Sequence, residues 1–155
     1  MAGNVDKRLK DLGLTLPTAA APIANYVPAV RSGNLLFVSG QLPLKDGQVA
    51  VEGQVGNQVS LEQGVEAARL CALNLIAQAA MALGGDLDKV RRVVKLTGFV
   101  ACLPAFTQHP QVVNGASDLM VQVFGDAGRH ARAAVGAPSL PRNAAVEVEA
   151  VFEVA

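Results

Sequence analysis

The chain has 155 residues, and its 13 Lys and Arg are matched by 13 Asp and Glu, so the formal net charge is zero. That length suits one domain, residues 1–155, with a core that needs neither disulfides nor a metal. A neutral chain offers no electrostatic footprint for nucleic acid or an anionic membrane, and it favours association between copies.

Residues 1–14 carry Val5, Leu9 and Leu12 on one side, which predicts a short amphipathic helix. TLPTAAAPIANY reads as an ordered loop or extended segment, and YVPAV as a short strand ended by a turn around Ser32-Gly33-Asn34. LLFVSGQLP is the clearest strand of the N-terminal half, and KDGQVAVEG supplies a turn at Asp46-Gly47 with a short strand after it. Ser60 and Gln63 form a capping box, with Glu62 in the first turn, so a helix is predicted to start there. Leu61, Val65, Ala68, Ala72, Leu75, Ile76, Ala79 and Leu83 make its apolar stripe, and Gly84-Gly85 stops it. DKVRRVVKLTGFVACL is a β-branched strand. Pro110 opens a second helix with Val113, Ala116, Met120 and Phe124 on one face. HARAAVGA is a strand candidate, PSLPRN a turn-rich connection, and AAVEVEAVFEV the last strand. In that strand Val146, Val148, Ala150, Phe152 and Val154 point one way, while Glu147, Glu149, Val151 and Glu153 point the other. The order predicts an α/β (α+β) fold, a mixed sheet with two helices packed on one face. The second face must meet water, a ligand or another subunit.

With 51 % hydrophobic residues, 4 % aromatic and no Trp, the core must come from Val, Leu, Ile and Ala. Cys71 and Cys102, in LCAL and VACL, read as buried free thiols. No cysteine pair has metal-ligand spacing and no H-E-x-x-H occurs, so no metal is expected. The glycines form no phosphate-binding signature. The start, MAGNVDKRLKDLGL, lacks a signal-peptide core, and no apolar run is expected to cross a membrane, so the expectation is a cytoplasmic protein.

Arg132 lies inside an apolar strand candidate, where its planar fork could hold a carboxylate through two parallel hydrogen bonds. The alternative is an ion pair with a strand glutamate or a neighbouring chain. Glu147 and Glu149 share one face of the last strand; either a partly buried carboxylate there acts as general acid or base, or the pair is a solvated face. Ser39 and Gly40 end the strongest early strand, where a hydroxyl can donate and a glycine permits close approach. His109 and His130 have no readable partner and are expected to be exposed, so no Ser-His-Asp arrangement is seen.

Three stretches, in order over residues 20–155, resemble one family: NLLFVSGQLPL with its S-G-Q, VVKLTGFVACLPAF, and HARAAVGAPSLPRNAAVEVEAV with its arginine strand, L-P turn and E-x-E-A strand. The chain is identified by these as similar to the RidA (YjgF) family, also labelled endoribonuclease L-PSP. The resemblance implies a chorismate-mutase-like fold, a homotrimer with clefts between subunits, and no cofactor. It implies an enamine/imine deaminase that hydrolyses 2-imino acids to 2-keto acids and ammonia. The alternatives are a non-catalytic trimer that binds a small carboxylate metabolite, and an endoribonuclease. Carried across, the carboxylate-binding arginine falls on Arg132, helped by backbone near Ala134, and the water-positioning glutamate falls on Glu147. Tyr26, Ser39, Gly40 and Asn114 fall on the rest of the ligand cleft. The chain departs from the family at Ala134, where a cysteine is usual, in the loop FGDAGRH, and in an N-terminal extension, residues 1–20.

Overall fold

The computed structural model describes residues 3–21 and 24–155. Met1 and Ala2 of the extension, and Pro22 and Ile23 of the Pro/Ala-rich segment, lie outside the described residues. A short helix α1 (Asn4–Asp11) precedes strands β1 (Ala29–Ser32) and β2 (Leu35–Gln41) and a small hairpin, β3 (Leu44–Lys45) with β4 (Gln48–Val49). Helix α2 (Leu61–Ala82), strand β5 (Val90–Ala101), helix α3 (His109–Phe124), strand β6 (Ala131–Ala137) and strand β7 (Val146–Val154) follow. The main sheet runs β1-β2-β7-β5-β6, antiparallel except for the β5–β6 pair, which is parallel and joined through α3. Parallel neighbours need such a crossover. The mixed sheet with two long helices on one face is therefore as expected, and α1 is a third, short helix.

The strand read as YVPAV lies three residues later, at Ala29–Ser32. Pro28 has no N–H to give a ladder, and the pairing of Ser32 with Leu35 sets the register from the turn outward. In the β3–β4 hairpin, Asp46 and Gly47 sit at φ 53° and 76°, the left-handed pair that an Asp-Gly turn is suited to. Ser60 accepts from the Gln63 N–H, and the Gln63 side chain accepts from the Ser60 N–H, which completes the capping box.

β7 alternates as its sequence requires. Val146, Val148, Ala150, Phe152 and Val154 are buried against the helices, and Glu147, Glu149, Val151 and Glu153 are on the open face. Helix α2 buries more than the expected stripe: Gly64, Ala67, Cys71, Asn74 and Gln78 are also inside, while Leu61 and Val65 are only partly buried. Its 22 residues have the length and hydropathy of a membrane span, yet more than half of that stretch is buried, as befits a core helix packed on the sheet and against α3. Asn74 Nδ2 donates to the carbonyls of Leu44 and Leu70, and Gln78 Nε2 to that of Ala20 at 2.7 Å, so these buried amides tie the loops down onto α2. Phe152 is fully buried, with its ring 6.3 Å from that of Phe124. Phe152→Ala is expected to destabilise the fold by roughly 3–5 kcal/mol in urea titration.

Helix α1 lacks a capping side chain of its own. Asp88 supplies one from 84 residues away, accepting from the Asn4 and Val5 N–H groups at 2.8 and 2.9 Å. Those two bonds hold the Asp88 carboxyl below the usual carboxylate range. With Val5 and Leu9 buried, the helix is docked rather than free.

Candidate functional site

Arg132 is in register with Leu96, a fully buried residue, so it leaves β6 on the helix side of the sheet. There α3 receives it. Nη1 donates to Asn114 Oδ1 at 2.8 Å and to Ser117 Oγ at 3.1 Å, and Nη2 lies 3.4 Å from the Pro110 carbonyl. Asn114 and Ser117 are three residues apart and so share one helix face. Ser117 Oγ is also 2.9 Å from His130 Nε2, and His130 Nδ1 is 2.6 Å from the Gly128 carbonyl. A carbonyl only accepts, so Nδ1 carries the proton and Ser117 donates to Nε2. The chain of donors thus runs from Arg132 through Ser117 to His130. His130 is partly buried and partnered, not exposed as expected.

Every group that holds Arg132 is neutral. Among the described residues the ion pair is Arg129–Asp126 at 3.6 Å, both exposed, and none involves Arg132. The intrachain ion pair with a strand glutamate is therefore ruled out. A guanidinium oriented by neutral acceptors keeps its charge for an incoming anion.

Glu147 is in register with Phe99 and leaves β7 on the open face. It is half-buried and packs against Gly40, where an added Cβ would collide with its carboxylate. Gly40 lies in the irregular stretch of β2 between Val38 and Gln41. Glycine is needed there for close approach. Burial raises the Glu147 carboxyl above its ordinary value, and the neighbouring Glu149 adds to the rise. Ser39 Oγ donates to the Pro28 carbonyl at 3.2 Å. Tyr26, Ser39 and Gly40 line one small hollow of about 80 Å³ together with Arg142. Arg142 and Asn143 both have left-handed backbone, at φ 55° and 59°, in the L-P turn before β7. A broader hollow of about 510 Å³ on the same face includes Ser39, Lys95, Thr97 and Glu149.

The candidate residues thus fall into two groups. Arg132, Asn114 and partly buried Ala134 sit at the β6 edge against α3. Tyr26, Ser39, Gly40 and Glu147 sit across the sheet. β5 lies between β6 and β7, and the register turns Arg132 and Glu147 to opposite faces, so one chain does not bring them together. Sequence reasoning misses Ser117 and gives His130 no partner; the i, i+3 spacing of Asn114 and Ser117 on α3 is the signal that could have found Ser117.

The family profile described as "YjgF/chorismate_mutase-like, putative endoribonuclease" matches residues 6–154. The chain belongs to the RidA/YjgF family. Protein TCP17 of Trypanosoma cruzi is 52 % identical over 153 residues, covering 98 % of this chain and 95 % of that protein. Among solved structures, protein Atu1372 of Agrobacterium tumefaciens, of unknown function, is 55 % identical with a TM-score of 0.92, covering 97 % of this chain and 92 % of that one. A family structure from Shewanella oneidensis that bears the endoribonuclease label is 36 % identical with a TM-score of 0.94, covering 98 % of this chain and 100 % of that one. Coverage of this extent takes in most of residues 1–20, so the N-terminal extension is shared within this part of the RidA/YjgF family.

Proposed function

We propose that the protein is an enamine/imine deaminase that hydrolyses small 2-imino acids to 2-keto acids and ammonia, in sites completed between subunits of a homotrimer. The observation that carries this reading is Arg132, held by neutral groups with its charge uncompensated. It would take the substrate carboxylate, with backbone near Ala134. A neighbouring subunit would bring Tyr26, Ser39, Gly40 and Glu147. An iminium carbon is already electrophilic, so the site has only to place it against a water. Glu147, with its raised affinity for a proton, would accept one from the water as it adds and pass it to the leaving amine. No step asks for a cofactor.

Association is supported by the open sheet face. Val30, Leu35, Phe37 and Val135 are large apolar side chains there, each more than a third exposed. Their burial between copies would stabilise an assembly at about 25 cal/mol per Å².

The test is a coupled assay in which a pyridoxal-phosphate enzyme releases 2-aminoacrylate and pyruvate formation is followed. The wild type is expected to accelerate pyruvate formation. No acceleration, with Arg132→Ala equally inert, overturns the reading. Arg132→Ala is also expected to weaken 2-ketobutyrate binding roughly 100-fold, since two charge-assisted bonds are lost; a thermal-shift titration reads this.

Ala134 in the usual cysteine position favours a second reading, a trimer that binds a keto acid without turnover. Stabilisation by 2-ketobutyrate without imine hydrolysis selects it. Ribonuclease activity has only the family label behind it; the zero net charge offers no footprint for RNA, and a clean negative on single-stranded RNA removes it.

A further inference from the structure

Cys102 follows β5 and His109 opens α3, and the two meet: Sγ lies 3.4 Å from Nε2. The Phe106 ring packs edge-on against the imidazole, with centroids 5.3 Å apart and planes at 77°, which fixes its orientation. Opposite the pair is Gly136 of β6. A Cβ built there would stand 2.8 Å from the Cys102 sulfur and 2.7 Å from His109 Nε2. Gly136 is not among the residues with left-handed backbone, so the glycine provides space rather than a conformation. Any side chain at 136 would displace the pair. The space forms a hollow of about 390 Å³ whose other walls are Leu103, Pro104, Phe106, Ala137 and Pro138. No charged residue lines it. A cavity of this volume, mostly apolar with a few polar groups at one point, is the usual form of a small-molecule site.

We propose that Cys102 and His109 are a second reactive centre, a thiol–imidazole pair that adds to small uncharged α,β-unsaturated carbonyl compounds held in this apolar hollow. Burial raises the Cys102 thiol above its ordinary value, so it rests protonated and needs a base, and the imidazole is the base in contact with it. As the electrophile docks, Nε2 takes the Sγ proton and the sulfur bonds to the β-carbon. The C=C electron pair moves to the α-carbon and carbonyl as an enolate, and the imidazolium returns the proton to the α-carbon. The product is a thioether, and no oxidant is involved. An anionic compound would have to shed its water against apolar walls, which selects for neutral ones. Peroxide chemistry starts from a resting thiolate, and this thiol is not one.

Cys71 is an internal control. It is fully buried, and its Sγ lies 3.5 Å from the Val146 carbonyl. The experiment is alkylation of the native, full-length protein by N-ethylmaleimide, a neutral unsaturated carbonyl compound, with adducts mapped by mass spectrometry. Wild type is expected to take one adduct, on Cys102, with Cys71 unlabelled until the protein is unfolded. At neutral pH, His109→Gln is expected to slow labelling roughly 100-fold, the scale of a lost general base. Gly136→Ala is expected to suppress it, with far-ultraviolet circular dichroism confirming that both variants fold. Should a variant not fold, the wild-type pH profile decides: with the imidazole taking the proton, the rate should level off well below the range in which the raised Cys102 thiol ionises by itself. Cys102 labelled no faster than Cys71, labelling indifferent to His109→Gln, or a rate that climbs tenfold per pH unit into the free-thiol range would each overturn the proposal.

Discussion

Two variants that are each inactive, Arg132→Ala and Glu147→Gln, are expected to regain about a quarter of wild-type deamination when unfolded together in equal amounts and refolded. The reason is the split of the candidate residues. Arg132 leaves edge strand β6 toward α3, and Glu147 leaves β7 on the other face with β5 between them. In a cyclic trimer, each boundary would combine the arginine group of one copy with the glutamate group of the next. A random mixture places an intact arginine group beside an intact glutamate group in about one boundary out of four. If both groups acted within one chain, every mixed site would lack one of them and no activity would return. Pyruvate formation in the coupled assay, compared with each variant refolded alone, distinguishes the two. The expected recovery is large against a background near zero, and it does not depend on knowing the physiological substrate.

The split is not visible in the amino-acid sequence, and the reason is physical. Alternation tells which residues of one strand share a face, and it places all nine residues of β7 correctly. It does not carry across the irregular turn at Arg142 and Asn143, whose left-handed backbone breaks the count of alternating positions between Arg132 and Glu147. Only the parallel register of β6 on β5 settles which way Arg132 points. Local signals fare well for the same reason that long-range ones do not. The Ser60–Gln63 capping box and the Asp46-Gly47 turn are complete within four residues. The buried amides of Asn74 and Gln78 are justified only by the carbonyls of Leu44 in β3 and of Ala20, distant in sequence. Likewise His109 and His130 look unpartnered in the sequence because Cys102 and Ser117, their partners, reach them only once α3 has packed on the sheet.

Glu147→Gln alone is expected to reduce turnover by roughly 10²–10⁴-fold, the usual contribution of a positioned general base, and yet to make the protein more stable at neutral pH. The sign follows from the direction of its shift. Burial first, and the charge of Glu149 second, make the folded protein hold the Glu147 proton more tightly than the unfolded chain does. Between the ordinary glutamate value of 4.5 and the higher folded value, the unfolded chain therefore binds fewer protons, and stability falls as pH rises through that interval. Above it the folded state carries a half-buried carboxylate that water would hold better. The amide introduced by Glu147→Gln has no charge to desolvate, so the variant's midpoint in thermal melts should exceed that of wild type at about pH 7.5, and the gap should close below pH 4.5. Glu149→Gln should move the midpoint the same way by less, since it removes only the second cause. Activity lost together with stability gained is the mark of a residue kept for chemistry rather than for the fold. A Glu147→Gln protein that melts lower than wild type at about pH 7.5 would instead mean that the carboxylate holds the β2–β7 junction at Gly40 together, and the general-base role would have to be given up.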